Sequence, residues 1–169
     1  MILNVGNKVI YPSQGPCLIG PVVKKVIDGR PMSFYQLAPL DGSGGELFVP
    51  VDKAPALGIR QLLEKSEIPR LLGQLKKAAK TAKAGTGKNW KQRAVDILKL
   101  FSSGSAFDLV KIVESLSELS ETKTLSPSEK RTLERARKLL VCEISEVTGE
   151  TKSAVEEQVD KALEGRKGA

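Results

Sequence analysis

The chain has 169 residues, of which 40% are hydrophobic, 28% charged and only 4% aromatic, with a net charge of +7 and no histidine. That length accommodates one domain or two small ones and excludes a large multidomain enzyme. The lack of histidine excludes Ser-His and Cys-His nucleophile pairs, His-ligated zinc and imidazole acid–base chemistry, so anion binding is expected before catalysis.

The first 50-odd residues read as strands. Lys8-Val9-Ile10-Tyr11 precedes a turn at Pro12-Ser13-Gln14-Gly15, and Cys17 to Ile27 is apolar and β-branched. Asp28-Gly29-Arg30-Pro31 signals a tight turn before Met32 to Leu37, and Asp41-Gly42-Ser43-Gly44-Gly45 another before Glu46 to Val51. Four or five short strands in so little chain bury little surface as an open sheet. A small closed or half-closed Tudor/SH3-like barrel over residues 1–55 is therefore expected.

From residue 56 the apolar period becomes helical, which predicts an all-α bundle of about five helices over 56–169 and an α+β chain overall. Ser66, with Glu67 and Pro69 in the first turn, reads as the cap of a helix running to about Lys80. Residues 81–88 form a basic loop, and Asn89 is placed to cap the next helix, which Gly104 stops. On that helix Trp90, Ala94, Ile97, Leu98 and Phe101 make one apolar stripe. Ser105 with Asp108 opens a third helix. Ser126-Pro127-Ser128-Glu129 is a capping box with proline at the first helical position, starting a fourth helix that Gly149 ends. Thr151 begins a fifth, with Gly165 as its stop.

The positive charge is concentrated. Residues 1–55 carry five basic and four acidic side chains, residues 56–124 thirteen and seven, and residues 125–169 nine of each. Lys76, Lys77, Lys80, Lys83, Lys88, Lys91 and Arg93 follow one another with no acid between them. A single-sign patch of this kind is either a solvated helix face or the footprint of a phosphate backbone.

Other motifs carry no chemistry. Gly85-Thr86-Gly87-Lys88 lacks the first glycine and the closing Ser/Thr of a phosphate loop, those positions being Ala82 and Asn89, and a helix precedes it where a strand is required. Cys17 and Cys142 have apolar neighbours and are expected as separate buried thiols. Acidic pairs such as Glu156-Glu157 lie beside Lys and Arg as ordinary helix-surface ion pairs. No catalytic group, metal site or cofactor is expected, and the chain is read as non-enzymatic. There is no apolar run long enough to span a bilayer, and Met1 leads directly into strand-like sequence, so the expected setting is cytoplasmic.

Trp90, the one tryptophan, stands just inside a helix start between Lys88 and Lys91. Two readings stay open. It begins an apolar stripe and could pack inward. A helix N-terminus surrounded by cations also suits a phosphate, beside which a flat apolar side chain can stack on a base or wedge into a minor groove.

The whole chain resembles the CarD/CdnL family of bacterial RNA polymerase-binding transcription regulators. The resemblance rests on motifs in order: Val5-Gly6-Asn7-Lys8-Val9-Ile10-Tyr11-Pro12 with Gly15, Val49-Pro50, Gly58-Ile59-Arg60, Asn89-Trp90 with Arg93, and Ser128-Glu129-Lys130 through Ala136-Arg137-Lys138-Leu139-Leu140-Val141. It implies a Tudor-like module over 1–55 that docks on the polymerase β subunit, with Lys25 and Ile27 on the polymerase-facing strand. Phe48 stands there where some relatives carry a basic contact. It implies a helical domain over 56–169 that meets promoter double-stranded DNA at the upstream fork of the melted bubble. Trp90 then matches the family's minor-groove wedge, which stabilises the open promoter complex, and Arg93 a basic contact beside it. Val95 replaces a further family basic residue, so the contact leans on Lys88 and Lys91, with Lys80 and Lys83 in the same run. The implied protein is a monomer associated with the nucleoid through polymerase. Apart from the resemblance, an architectural DNA-binding protein without polymerase contact and an RNA- or ribosome-associated adaptor also fit a basic chain with a small barrel.

Overall fold

Asp28 and Gly29 both take positive φ, 52° and 77°, as a two-residue hairpin turn requires, and the longest strand pair of the chain grows from them. A computed structural model of the chain describes residues 4–12, 14–40, 42, 44–76 and 90–167. Its strands are β1 (Lys8–Tyr11), β2 (Gly15–Ile27), β3 (Arg30–Pro39), β4 (Leu47–Pro50) and β5 (Arg60–Gln61). All pair antiparallel in one sheet of order β4-β3-β2-β1-β5.

The register of β2 against β3 shifts between Ile19 and Val22, at Gly20-Pro21. There a side chain on Gly20 would start 3.2 Å from the Gln36 carbonyl oxygen, closer than a Cβ normally sits, so glycine lets the two strands approach. Before this bulge, Cys17 and Ile19 point into a core with Val9, Leu37, Val49, Ala54 and Ile59. Beyond it, Val22, Val26 and Ile27 are exposed on a hairpin that outruns that core.

The helices are α1 (Ile68–Lys76), α2 (Trp90–Ser103), α3 (Ala106–Thr122), α4 (Pro127–Thr148) and α5 (Lys152–Lys167). This is the expected α+β layout, a strand-rich module followed by five helices. The helical core is built on Leu71 and Leu75, on Val110, Ile112, Val113 and Leu116, on Leu140 and Ile144, and on Val155 and Val159. Cys17 and Cys142 are buried free thiols.

The chain divides into two compact units, Met1–Leu62 and Leu63–Ala169. The change of apolar period in the sequence places this boundary at 55/56. The difference arises because Arg60 and Gln61 pair with Ile10 and Val9, a two-residue strand too short to show alternation. The helix starts differ in their local cause, and Ser105 before α3 makes no side-chain cap hydrogen bond. Ser66 is not the cap expected of it; it lies within a 3-10 turn, Lys65–Glu67, whose capping residue is Glu64. The Glu67 carboxylate accepts the Glu64 N–H at 2.9 Å. Ser126 and Glu129 form the expected reciprocal box, with the Ser126 hydroxyl accepting the Glu129 N–H at 3.1 Å and the Glu129 carboxylate accepting the Ser126 N–H at 3.2 Å. Gly104 and Gly149 end α2 and α4 at positive φ, whereas α5 continues through Gly165 to Lys167. The proposed end of α1 at Lys80, the 81–88 loop and the Asn89 cap lie outside the described residues.

Glu143 is the most deeply buried charged side chain described, 1% exposed in the second half of α4. Its carboxylate accepts the backbone N–H of Leu63 at 2.9 Å, which ties the first residue of the helical unit to its longest helix. Glu143→Ala leaves that donor unanswered and should destabilise the helical unit by about 1–3 kcal/mol. Chemical denaturation followed by helical circular dichroism measures this, and an unchanged midpoint would mean the bond carries no stability.

Candidate functional site

In α2 the residues facing the bundle are Arg93, Ile97 and Leu100, at i, i+4 and i+7. They bound a narrow cleft with Leu116 and Leu119 of α3. The stripe expected from apolar residues alone is therefore rotated. Ile97 and Phe101 do pack against the core, but Ala94 is exposed and Leu98 is 68% exposed.

Arg93 takes the inward position instead, only 8% exposed, with its guanidinium 3.5 Å from the Glu129 carboxylate. An arginine is buried this far only when a carboxylate answers it. The same Glu129 closes the capping box of α4, so one carboxylate serves a helix N-terminus and a cation on another helix. Burial by itself would raise the Glu129 pKa. Hydrogen bonds from the Ser126 N–H and hydroxyl, then the charges of Arg93 and Lys123, outweigh it and leave the carboxyl below its ordinary value.

The other residues expected at a nucleic-acid contact fall as follows. Trp90 is the first residue of α2 and Lys91 is exposed on its first turn. Lys80, Lys83 and Lys88 lie outside the described residues. Val95 is exposed on the outer face of α2, 49% accessible. Arg93 was expected among these contacts; its helical phase turns it toward Glu129 and away from solvent.

In the strand unit, the three residues expected at the polymerase contact are brought together. Lys25 and Ile27 are two apart in β2 and so share one face of the sheet. The Lys25 ammonium lies 3.9 Å from the centre of the Phe48 ring, reaching across β3 to β4. Ile27 and Phe48 are both more than two-fifths exposed. The cation–aromatic pair and the exposed Ile27 thus lie on the strand unit's surface, outside its core.

Three cations gather where sequence order gave no sign of a cluster. Lys123, Arg131 and Arg135 line one open groove between α2 and the first half of α4, together with Leu98 and Phe101. Arg135 lies over the Phe101 ring at 5.7 Å. Arg131 and Arg135 belong to residues 125–169, where charges of both signs sum to zero along the chain, and Lys123 lies just before them. The available signal was spacing: Arg131 and Arg135 are i and i+4 on a helix that begins four residues after Lys123.

Among the described residues no cluster of three or more His, Cys, Asp or Glu side chains could hold a metal ion, and no helix is long and apolar enough to cross a membrane.

Because the Glu129 pKa is depressed on folding, its contribution to stability is complete above the ordinary carboxylate value, about 4.3, and is lost as pH falls through the lower folded value. Glu129→Gln should therefore be less stable than the parent near neutrality, and the two should converge in acid. Urea midpoints measured across that range check this, and a stability gap that does not change with pH would contradict it.

Family models match both units. The model described as the CarD-like/TRCF RID domain matches residues 3–63, and the model described as CarD, C-terminal domain, matches residues 71–160, more than half of the chain. The matches meet the division between sheet and helices, and both parts of the earlier resemblance are present in order. The chain thus belongs to the CarD family, whose members are RNA polymerase-interacting, non-enzymatic transcription regulators.

Proposed function

We propose that the protein binds the RNA polymerase β subunit through its strand unit and promoter double-stranded DNA through its helical unit, and that it stabilises the open promoter complex. The observation that carries this reading is the start of α2 at Trp90, at the end of a run of lysines with no intervening acid. Exposed backbone N–H groups at a helix start, with the partial positive charge of the helix, favour a phosphate at that end. Lys91, with Lys80, Lys83 and Lys88 before it in the chain, adds sequence-blind attraction to the backbone. Trp90 then inserts at the upstream fork, where an unpaired or kinked step offers it a base to stack on.

Arg93 takes a different part from the one the family resemblance implies. Paired with Glu129, it holds α2 on the bundle and so sets the direction in which Trp90 and Lys91 are presented. It positions the contact rather than making it.

In this mechanism Lys25, Ile27 and Phe48 form the polymerase-binding patch. Tethering raises the effective concentration of the helical unit at the promoter, so weak DNA affinity is enough. A stack of about 1–3 kcal/mol that exists only in the melted complex moves the closed–open equilibrium by roughly tenfold or more. No nucleophile or cofactor takes part.

Trp90→Ala should shorten the open-complex lifetime by about tenfold while polymerase capture is retained. A lifetime equal to that of the parent would refute the wedge. Lys25→Glu reverses the local charge and removes the cation from Phe48, so it should abolish polymerase pull-down and leave binding to bare DNA unchanged. Retention of the variant on polymerase would place the docking patch elsewhere.

A further inference from the structure

The hairpin of β2 and β3 carries more on its outer side than Lys25 and Ile27. In an antiparallel pair, residues directly opposite one another project to the same side of the sheet, about 4.5–5.5 Å apart at Cβ. The register sets Lys25 opposite Met32 and Ile27 opposite Arg30. On β3, Tyr35 and Leu37 face the core of the strand unit, so Arg30 and Met32 alternate to the other side. Phe48 lies on that side as well, because its neighbours Leu47 and Val49 face the core. One side of the hairpin thus holds Lys25, Ile27, Arg30 and Met32, continuous with Phe48 on β4. Ile27 and Arg30 are exposed, and Met32 is half-buried.

The two cations on this side differ in what they already touch. The Lys25 ammonium lies over the Phe48 ring. Among the described residues no ion pair involves Arg30. From Lys8 to Leu40 the one acid is Asp28, which occupies the turn at positive φ, outside the β2–β3 ladder. A partner that covers Ile27 also covers its nearest cross-strand neighbour, Arg30. A guanidinium covered in this way must be met by an anion, or its charge is stranded at the interface. In a protein partner that anion is a carboxylate, which arginine takes through two parallel hydrogen bonds.

We propose that Arg30 is a second cation of the polymerase-docking face, met there by a carboxylate of the β subunit, and that Met32 extends the apolar strip beside it. The proposal rests on the reading that seats polymerase on Lys25, Ile27 and Phe48, and it carries that patch along the hairpin to its turn. Arg30 then sets specificity. Apolar contact alone tolerates many surfaces, whereas a cation at a fixed place rejects any partner without an acid opposite it.

The test is a titration of the full chain against bacterial RNA polymerase with the parent, Arg30→Gln, Arg30→Glu, Lys24→Glu and Lys25→Glu. Lys24 stands opposite Ser33 and projects to the other side of the hairpin, so Lys24→Glu changes the net charge as much as Arg30→Glu while leaving the docking face intact. Lys24, Lys25 and Arg30 are all exposed, and a parental thermal midpoint in each variant verifies the fold. Arg30→Gln should weaken polymerase binding by about fivefold and Arg30→Glu by about tenfold or more, with Lys24→Glu at the parental affinity. Parental affinity in Arg30→Gln with binding lost in Lys25→Glu would overturn the inference and leave the polymerase reading standing. Equal weakening by Lys24→Glu and Arg30→Glu would overturn it too, because polymerase would then sense net charge and not this face. If Lys25→Glu also binds like the parent, the polymerase reading itself falls and the inference falls with it.

Discussion

The pairing of Arg93 with Glu129 is the constraint on which the helical unit's functional geometry depends. A guanidinium within an apolar interface is costly unless a carboxylate meets it, and this carboxylate is fixed in place by the Ser126 capping box at the start of α4. The pair therefore ties α2 to one rotational setting about its own axis. In that setting Ile97 and Leu100 face the core, while Ala94, Val95 and Leu98 face outward. Rotating α2 to bury Leu98 would draw Arg93 away from its partner. The exposure of Leu98 accompanies this setting of α2.

Charge in this chain has two separable duties. Glu129 and Arg93, like Arg137 with Asp160 between α4 and α5, use it to fix helices against each other. The lysines before α2 follow one another in the sequence with no acid between them, which suits partners rather than packing. The strand unit makes the same distinction on a smaller scale. Its core is wholly apolar apart from Cys17, and its hairpin carries Lys25 over Phe48 outside that core.

Much of this was legible in the sequence because local rules and tertiary structure agree. Asp28-Gly29 demanded a hairpin, Ser126 to Glu129 demanded a helix start, and Gly104 and Gly149 demanded helix ends; each is found where expected. The boundary between units was displaced because β5 is too short to alternate, and its pairing with β1 is a long-range event. The phase of α2 was misjudged for a more instructive reason. Counting hydrophobic residues put Leu98 inside and Arg93 outside, whereas the partner that makes Arg93 buriable lies 36 positions later, at Glu129. The cations of the groove were hidden by the same averaging, since α4 also carries acids on its other faces.

The central claim of the proposed mechanism is that Trp90 meets a nucleobase at a melted junction. As the only tryptophan, its fluorescence reports that event without any label. The most direct measurement is a titration of the protein with fork-junction DNA and with fully paired duplex of the same length, recording tryptophan emission beside DNA anisotropy. The account predicts quenching that follows binding and is markedly greater for the fork, as stacking on an unpaired base requires. Saturable binding of the fork with emission unchanged, or the same quenching by duplex, would contradict it.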